Sequence, residues 1–117
     1  MDANKIDFLW ALSAWPRVAL AQLPTPIHRL SNFCKFVGDI DLWIKRDDLT
    51  GLAGGGNKTR KLEFLVADAL RSGADTLVTV GAIQSNHTRQ PAAAAARPGH
   101  KCALLHRPGW PPDPGPH

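Results

Sequence analysis

The sequence has few cysteines, and this scarcity excludes a disulfide-rich protein. Its 117 residues contain only Cys34 and Cys102. Their separation fits neither a disulfide framework nor the spacing of a metal site, so we predict no bound metal. We expect a reducing, cytoplasmic setting, in which both thiols are small buried hydrophobic side chains.

Long apolar runs are also lacking. No stretch reaches the length that a membrane-spanning helix needs, so we expect no membrane partner. The apolar stretch from Phe8 to Trp15 is short. It has neither a clean basic region before it nor a small-residue cleavage site after it, which argues against a signal peptide. We interpret it as a helical turn whose tryptophans pack on a core.

A strong charge imbalance is missing as well. The formal net charge is +4, with 44% hydrophobic and 21% charged residues. This composition is that of a globular domain with a mild preference for anions, and it is too weakly basic for a nucleic-acid-binding tail. Aromatic residues are not interleaved with the basic ones, so we expect no nucleic-acid partner.

Three apolar segments separated by two helical ones predict an α/β fold. Strands are expected at Ile40 to Lys45, Asp75 to Val80 and Lys101 to His106. The first helix ends at Gly73, and the second runs from Pro91 to Arg97. The alternation predicts a parallel sheet with crossover helices. The predicted apolar face of the first helix consists of Leu62, Leu65, Val66, Ala69 and Leu70.

The last eleven residues differ from the rest, because five are prolines and two are glycines. Neither a helix nor a central strand tolerates this composition. We therefore divide the chain into residues 1–106, which form one incomplete domain, and a proline-rich disordered tail at residues 107–117.

Residues 50–64, TGLAGGGNKTRKLEF, carry four glycines into the start of a basic helix. A phosphate-binding P-loop is not matched, because Asn57 is inserted before Lys58 and Thr59. The dinucleotide-binding pattern fails as well, since Thr59 stands in place of its last glycine. Both nucleotide interpretations are therefore weak.

Lys58 itself lies at a helix N-terminus, where a positive charge is disfavoured. The neighbouring cations Arg60 and Lys61 favour an uncharged amine, which an amine nucleophile requires. Lys61 lies one turn further along the same helix. A solvated basic first turn is the alternative interpretation.

The segment GAIQSNHTRQ, residues 81–90, follows the second predicted strand at its carboxyl end. Open parallel sheets bind ligands at this edge. Ser85, Asn86 and the backbone amides after them could hold a carboxylate at a helix N-terminus. Ordinary helix capping is the alternative for both side chains. We expect this loop and the glycine loop to lie near each other, at the same edge of the sheet.

Two adjacent carboxylates, Asp47 and Asp48, follow Lys45 and Arg46. Adjacent side chains on a strand point to opposite faces, which makes a shared metal site unfavourable. We interpret the two aspartates as partners in ion pairs.

The stretches IKRDD, GGNKTRKLEFL, GADTLVT and GAIQSNHTRQ, in this order and spacing, resemble the D-cysteine desulfhydrase and 1-aminocyclopropane-1-carboxylate deaminase family. Its members are pyridoxal-phosphate enzymes with the tryptophan-synthase-beta-like fold, also called fold type II. The resemblance runs from about Trp15 to about Leu105. Family members are much longer, so it implies only the N-terminal portion of their domain.

The resemblance also implies roles for single residues. Lys58 is similar to the lysine that holds the cofactor as an internal Schiff base, Lys61 to a residue that contacts its phosphate, and Asn86 to the asparagine beside its phenolic oxygen. Ser85 resembles the residue that contacts the substrate carboxylate, or that acts as a nucleophile in the deaminases. His87 resembles the histidine of desulfhydrase-like members and is a candidate substrate contact. A loop histidine bonded to the backbone is its alternative.

The activity implied by the resemblance is β-elimination from D-cysteine, which gives pyruvate, ammonia and sulfide and uses pyridoxal 5'-phosphate. Lys58 would remove the α-proton. The alternatives are a 1-aminocyclopropane-1-carboxylate deaminase, an L-cysteate sulfo-lyase, or a catalytically inactive fragment. The family further implies a small amino-acid substrate and a homodimer.

Pro91 departs from the family pattern, in which threonine or valine is expected. If the helix begins at Asn86, a proline inside it costs about 3 kcal/mol. If Gln90 is the cap, Pro91 occupies the first helical position, where proline is tolerated.

Overall fold

The computed structural model describes residues 10–38, 40–82 and 84–107, and these residues have an α/β architecture. The elements in chain order are strand β1 (Ile27–Arg29), helix α1 (Ser31–Val37), strand β2 (Trp43–Lys45), helix α2 (Lys58–Arg71), strand β3 (Thr76–Ala82), helix α3 (Asn86–Ala96) and strand β4 (Lys101–Arg107). Two short 3-10 turns, Asp47–Leu49 and Leu52–Gly54, lie between β2 and α2. The predicted disordered tail lies outside the described residues, except for Arg107, which ends β4.

Strands β3 and β4 form a parallel sheet, and α3 is the crossover between them. Their register runs from Thr76 opposite Lys101 to Ala82 opposite Arg107. Runs of apolar and β-branched residues favour a strand at both positions. The predicted α/β class, with a parallel sheet and a crossover helix, is therefore confirmed for this pair of strands.

The prediction of a buried parallel strand from Ile40 to Lys45 is wrong. Only Trp43–Lys45 is a strand, and it pairs antiparallel with β1, with Lys45 opposite Ile27. Among the described residues, this two-stranded sheet is separate from the β3–β4 sheet. Its side chains are exposed. Because Pro26 favours an extended backbone before it, the chain reaches β1 already extended and offers β2 a nearby partner.

The hydrophobic core lies between α2, α3 and the segment that precedes β1. A buried cluster is surrounded by partly buried apolar side chains. The cluster consists of Leu20, Leu62, Val66 and Ala94, and the side chains around it are Val18, Leu52 and Leu77. The core therefore joins the two helices that begin at the predicted loops.

The buried stripe of α2 differs from its predicted apolar face. Leu62 and Val66 are buried as predicted, but Leu65 is 55% exposed. The helix instead buries Thr59 and Glu63 beside them. Hydrogen-bond partners inside the core stabilise these two polar side chains, and a hydrophobic pattern cannot show such partners.

Among the described residues, one face of the β3–β4 sheet is left uncovered. Helix α3 packs on both strands. Val78, Val80 and Leu105 are 66%, 62% and 58% exposed. In the register, Val80 lies opposite Leu105, so these side chains share a face. The nearly continuous apolar run of β3 is typical of a strand covered on both faces, but within the described part of the chain α3 covers one.

The tryptophans near the start of the chain do not pack as predicted. Residues 10–13 form a helical turn, but Trp10 is 72% exposed and Trp15 is 64% exposed. Pro16 follows directly, and a proline cannot continue a helix. The turn therefore ends before the chain reaches the core at Val18. In the described ranges, none of the helices has the length and apolar character needed to cross a bilayer.

Glu63 is a buried carboxylate in the core, with 1% of its surface exposed. Its Oε1 accepts hydrogen bonds from the backbone N–H groups of Leu20 (2.9 Å) and Ala21 (2.8 Å). Its Oε2 pairs with the guanidinium of Arg17. Burial raises the pKa of Glu63, but these N–H groups and Arg17 together hold the pKa below its ordinary value. The charged carboxylate therefore fixes the segment before β1 against α2.

Replacing Glu63 by glutamine should lower the free energy of unfolding at pH 7 by about 2 kcal/mol, because hydrogen bonds to a charged group are lost. The folded pKa is the lower one, so the stabilisation is complete above the unfolded value of about 4.3. It is lost as the pH falls through the folded value. Urea unfolding of both proteins at pH 7 and at acidic pH measures this difference.

Asp68→Asn is the matched control, because Asp68 is an exposed carboxylate of the same helix, paired with Arg71. An exposed pair of this kind contributes little, so the control should change stability by less than about 0.5 kcal/mol. Equal stabilities of the wild type and Glu63→Gln at pH 7 would contradict the role of Glu63.

Candidate functional site

Glycines with positive φ shape the loop that leads into α2. Gly54 and Gly55 have φ values of 79° and 80°, in the left-handed region that favours glycine. A Cβ on Gly55 would lie 1.8 Å from the carbonyl oxygen of Asp48, whereas the nearest atom to a Cβ on Gly54 is 3.9 Å away, in Arg89. Gly55 is therefore required for a close backbone approach and Gly54 only for its φ.

A buried hydroxyl holds this loop together. Thr50 is completely buried, and its Oγ1 accepts a hydrogen bond from the backbone N–H of Gly56 at 2.9 Å. The same Oγ1 lies 2.8 Å from the carbonyl oxygen of Gly56 and 3.1 Å from that of Asp47, and it can donate to either. The loop therefore closes around one side chain.

Asp47 ties the loop to α2. Arg60 donates to its two carboxylate oxygens, from Nε at 2.9 Å and from Nη2 at 2.6 Å. The hydrogen bond from Arg60 holds the pKa of Asp47 below its usual range. Asp48 pairs with Arg46 at 2.6 Å, so the interpretation of both aspartates as ion-pair partners is confirmed. Within the residues described, no three His, Cys, Asp or Glu side chains group as metal ligands.

Lys58 is the first residue of α2 and is half-buried, and Lys61 lies one turn further on and is exposed. The side chain of Asn57, the N-cap residue, makes no capping hydrogen bond, and the first turn contains no acidic residue. The first backbone N–H groups of the helix and the two amines therefore create a positive potential that favours an anion.

Helix α3 begins at Asn86, with Ser85 as its N-cap. Ser85 Oγ accepts the backbone N–H of His87 at 3.1 Å, and its carbonyl oxygen accepts the hydroxyl of Thr88 at 2.8 Å. The predicted helix start at Pro91 is therefore wrong, and Pro91 lies inside the helix. The serine cap determines where the helix begins, even though a proline inside removes one backbone hydrogen bond.

His87 contacts strand β3 and is influenced by the charges of the two lysines. Its Nε2 is 2.9 Å from Oγ1 of Thr79 on β3, and its Nδ1 is buried without a partner among the described residues. Burial lowers the pKa of His87, and the charges of Lys61 and Lys58 lower it further. The ring is therefore neutral at pH 7. The influence of the lysines on His87 also shows that the glycine loop and the loop before α3 lie near each other, as predicted. Its partner is a threonine side chain, not the backbone that the alternative interpretation expected.

Gln90 joins the two loops directly, although it is not among the predicted site residues. It is completely buried, and its Nε2 donates to the carbonyl oxygen of Gly56 at 3.2 Å and to Thr59 Oγ1 at 2.9 Å. A Cβ on Gly56 would lie 2.8 Å from Gln90 Nε2 and 3.1 Å from Asn86 Nδ2. Asn86 and Gln90 are four residues apart on α3, so they share a face. This spacing is the signal that could have identified Gln90.

These features define an α/β domain with a candidate ligand site at the carboxyl end of a parallel strand. The site combines a lysine at the start of one helix with polar side chains at the start of the next, an arrangement suited to an anionic cofactor. The family model "pyridoxal-phosphate dependent enzyme" matches residues 18–113. The chain belongs to this family, which confirms pyridoxal phosphate as the family's cofactor.

Two similar proteins are D-cysteine desulfhydrases of Salmonella paratyphi B and Salmonella newport. Each is 58% identical over 98 residues, which make up 83% of this chain and 30% of the relative. A crystal structure of an ACC deaminase homologue is 46% identical, with a TM-score of 0.81, and the match covers 92% of this chain and 32% of that one. The resemblance seen in the sequence is confirmed. The chain spans about a third of the length of these relatives.

Replacing Gly55 by alanine should destabilise the protein strongly, by more than about 3 kcal/mol, because the new Cβ meets a backbone oxygen that cannot move alone. Replacing Gly54 by alanine is the matched control. It has nearly the same φ but no close neighbour, so it should cost only about 1–2 kcal/mol. Thermal unfolding of both variants measures the difference. Equal losses would show that the φ value alone explains the requirement for glycine at position 55.

The His87 ring should titrate below the ordinary histidine value of about 6.5, because of burial and of the nearby lysines. Replacing Lys61 by methionine should raise the pKa of His87 by removing one of those charges. Arg71→Met, at the other end of the same helix, removes an equal charge and should leave the pKa unchanged. NMR titration of the histidine ring protons measures all three proteins, and an identical pKa in all of them would contradict the coupling.

Proposed function

We propose that this chain carries the cofactor-binding lysine of a D-cysteine desulfhydrase-like carbon–sulfur lyase, which converts D-cysteine to pyruvate, ammonia and sulfide by β-elimination. The observation that carries the proposal is the 58% identity to D-cysteine desulfhydrases over the segment that contains Lys58. The juxtaposition of Lys58, Lys61 and His87 supports it. A small amino-acid substrate, a homodimeric assembly and a cytoplasmic location belong to the same proposal.

The side chains present fit pyridoxal phosphate. Lys58 offers an amine for its aldehyde, and Lys61 with the uncapped start of α2 offers positive charge for its phosphate. Asn86 offers an amide for its phenolic oxygen. The buried Nδ1 of His87, which has no partner among the described residues, could receive one from a bound group.

Bound pyridoxal phosphate supplies an electron sink for the carbanion that forms at the α-carbon of an amino acid. Lys58 would hold the cofactor through Nζ, and its free amine would accept the α-proton at the same atom. Lys61 would neutralise charge on the phosphate. Because the two amines lie one helical turn apart, one can bind an anion while the other moves a proton.

Ser85 can serve the helix and the substrate together. Its Oγ accepts the N–H of His87 as a cap, and a hydroxyl that accepts one hydrogen bond still has a proton to donate. That proton would bind a carboxylate oxygen of the substrate, next to the amides that begin α3. The neutral His87 ring adds no charge there, and its Nδ1 would contact the substrate.

A deaminase that acts on 1-aminocyclopropane-1-carboxylate is the second candidate. The structural similarity to an ACC deaminase homologue favours it. In that reaction Ser85 would be the nucleophile. L-cysteate is a third substrate to compare, and a chain that binds cofactor without turnover is the remaining alternative, because the chain spans 30% of the desulfhydrases.

Titration of the purified protein with pyridoxal phosphate should give a saturable absorbance change. Borohydride reduction and peptide mapping should then place the adduct on Lys58. Lys58→Ala should abolish both signals. Lys101→Ala should change neither, because Lys101 begins β4 at the opposite edge of the sheet.

Pyruvate release from D-cysteine, compared with keto-acid release from the two other substrates, then tests the activity. Adducts scattered over all lysines would contradict the cofactor site. An adduct on Lys58 without turnover of any of the three substrates would identify a cofactor-binding but inactive chain.

A further inference from the structure

We propose that Gln90 is a positioning residue for Lys58, because it binds the backbone carbonyl of Gly56 before that lysine and the side-chain hydroxyl of Thr59 after it. The inference rests on the proposed function only for the identity of the cofactor that binds to Lys58. The contacts that carry it are those between the Gln90 amide and the start of α2.

The Gln90 amide contacts the chain just before and just after Lys58. Its Nε2 donates to the carbonyl oxygen of Gly56, two residues before the lysine, at 3.2 Å, and to Oγ1 of Thr59, one residue after it, at 2.9 Å. Gln90 and Thr59 are both completely buried, so water does not compete for the bond between them. One amide nitrogen therefore sets the path of the segment that carries Lys58.

Stability alone does not explain a glutamine at this position. Ala94, one turn further along α3, lies in the apolar core. An apolar side chain at position 90 could fill the space of Gln90. Gln90 instead leaves its Oε1 buried without a partner among the described residues. A fold that keeps an unpaired buried oxygen gains little stability from it, so the benefit lies in where the amide nitrogen directs its neighbours.

The same contact sets the distance between the two loops. Gly56 has no room for a Cβ against the amides of Gln90 and Asn86, so the glycine loop rests directly on α3. Asn86 lies one turn before Gln90 on that helix. Gln90 therefore positions Lys58 relative to Asn86, the predicted cofactor contact on α3.

The test compares Gln90→Met, which keeps the length of the side chain and removes its donor, with Gln84→Met, an exposed glutamine of the preceding loop. Hydrogen exchange of the Gly56 and Thr59 amides is measured first, without any ligand. Gln90→Met should speed their exchange about tenfold relative to the amide of Val66, in the middle of α2, and the control should not. Unchanged relative exchange would overturn the proposal.

The second readout is the borohydride-trapped adduct with pyridoxal phosphate. Gln90→Met should weaken apparent binding about tenfold, which corresponds to about 1.4 kcal/mol, and should spread labelling from Lys58 to other lysines at temperatures where the fold is intact. A purely structural role would lower the unfolding temperature but keep the affinity and the labelling site, and that result would overturn the proposal.

A second pair of variants applies if Gln90→Met does not fold. Thr59→Val removes the acceptor of the shorter hydrogen bond and Thr59→Ser keeps it, so valine should reproduce the loosened exchange and weaker binding and serine should restore both. Equal behaviour of valine and serine would overturn the proposal. If the wild type forms no adduct on Lys58, the proposed function fails, and the exchange data alone then decide whether Gln90 holds this segment.

Discussion

The position of Lys58 depends on one short chain of hydrogen bonds made by buried side chains. Thr50 holds the backbone of Gly56, Gly56 accepts from the Gln90 amide, and the same amide reaches Thr59. The side chains of Thr50, Thr59 and Gln90 are completely buried, so a break in the chain would leave a buried polar group unpaired. The starts of two helices, which belong to different parts of the sequence, meet because of this chain.

The positive charges around the site fall into two groups, one that is paired with a carboxylate and one that is not. Four residues in a row at the start of α2 include three cations, and a helix N-terminus disfavours each of them. Arg60 is offset by Asp47, which leaves the charges of Lys58 and Lys61 to act on the site. They contribute to the lowered pKa of His87. The potential that favours a phosphate thus adds to the effect of burial, which lowers the pKa of the neighbouring imidazole.

Local patterns predicted the parts of the fold that depend on neighbours in sequence. Helix α2, strands β3 and β4 and the place of Lys58 follow from periodicity and from glycine positions. The pairing of β2 with β1 was not predicted from local patterns, because pairing between two three-residue strands depends on the direction of the chain after Pro26. The burial of Glu63 and Gln90 was not predicted, because a hydropathy pattern assigns charged and polar residues to the surface. Their hydrogen-bond partners make burial favourable. The start of α3 was misplaced because a proline is favoured at the first helical position, whereas the Ser85 cap begins the helix five residues earlier.

The open face of the β3–β4 sheet makes the stability of this chain depend on its surroundings. Val78, Val80 and Leu105 are each more than half exposed, and full burial of such a side chain contributes about 1.5–3 kcal/mol. The net stability of a domain is only about 5–15 kcal/mol. Any surface that covered these three side chains would therefore shift the folding equilibrium by mass action. Part of the hydrophobic stabilisation that this sheet can provide is therefore gained only when its second face is covered.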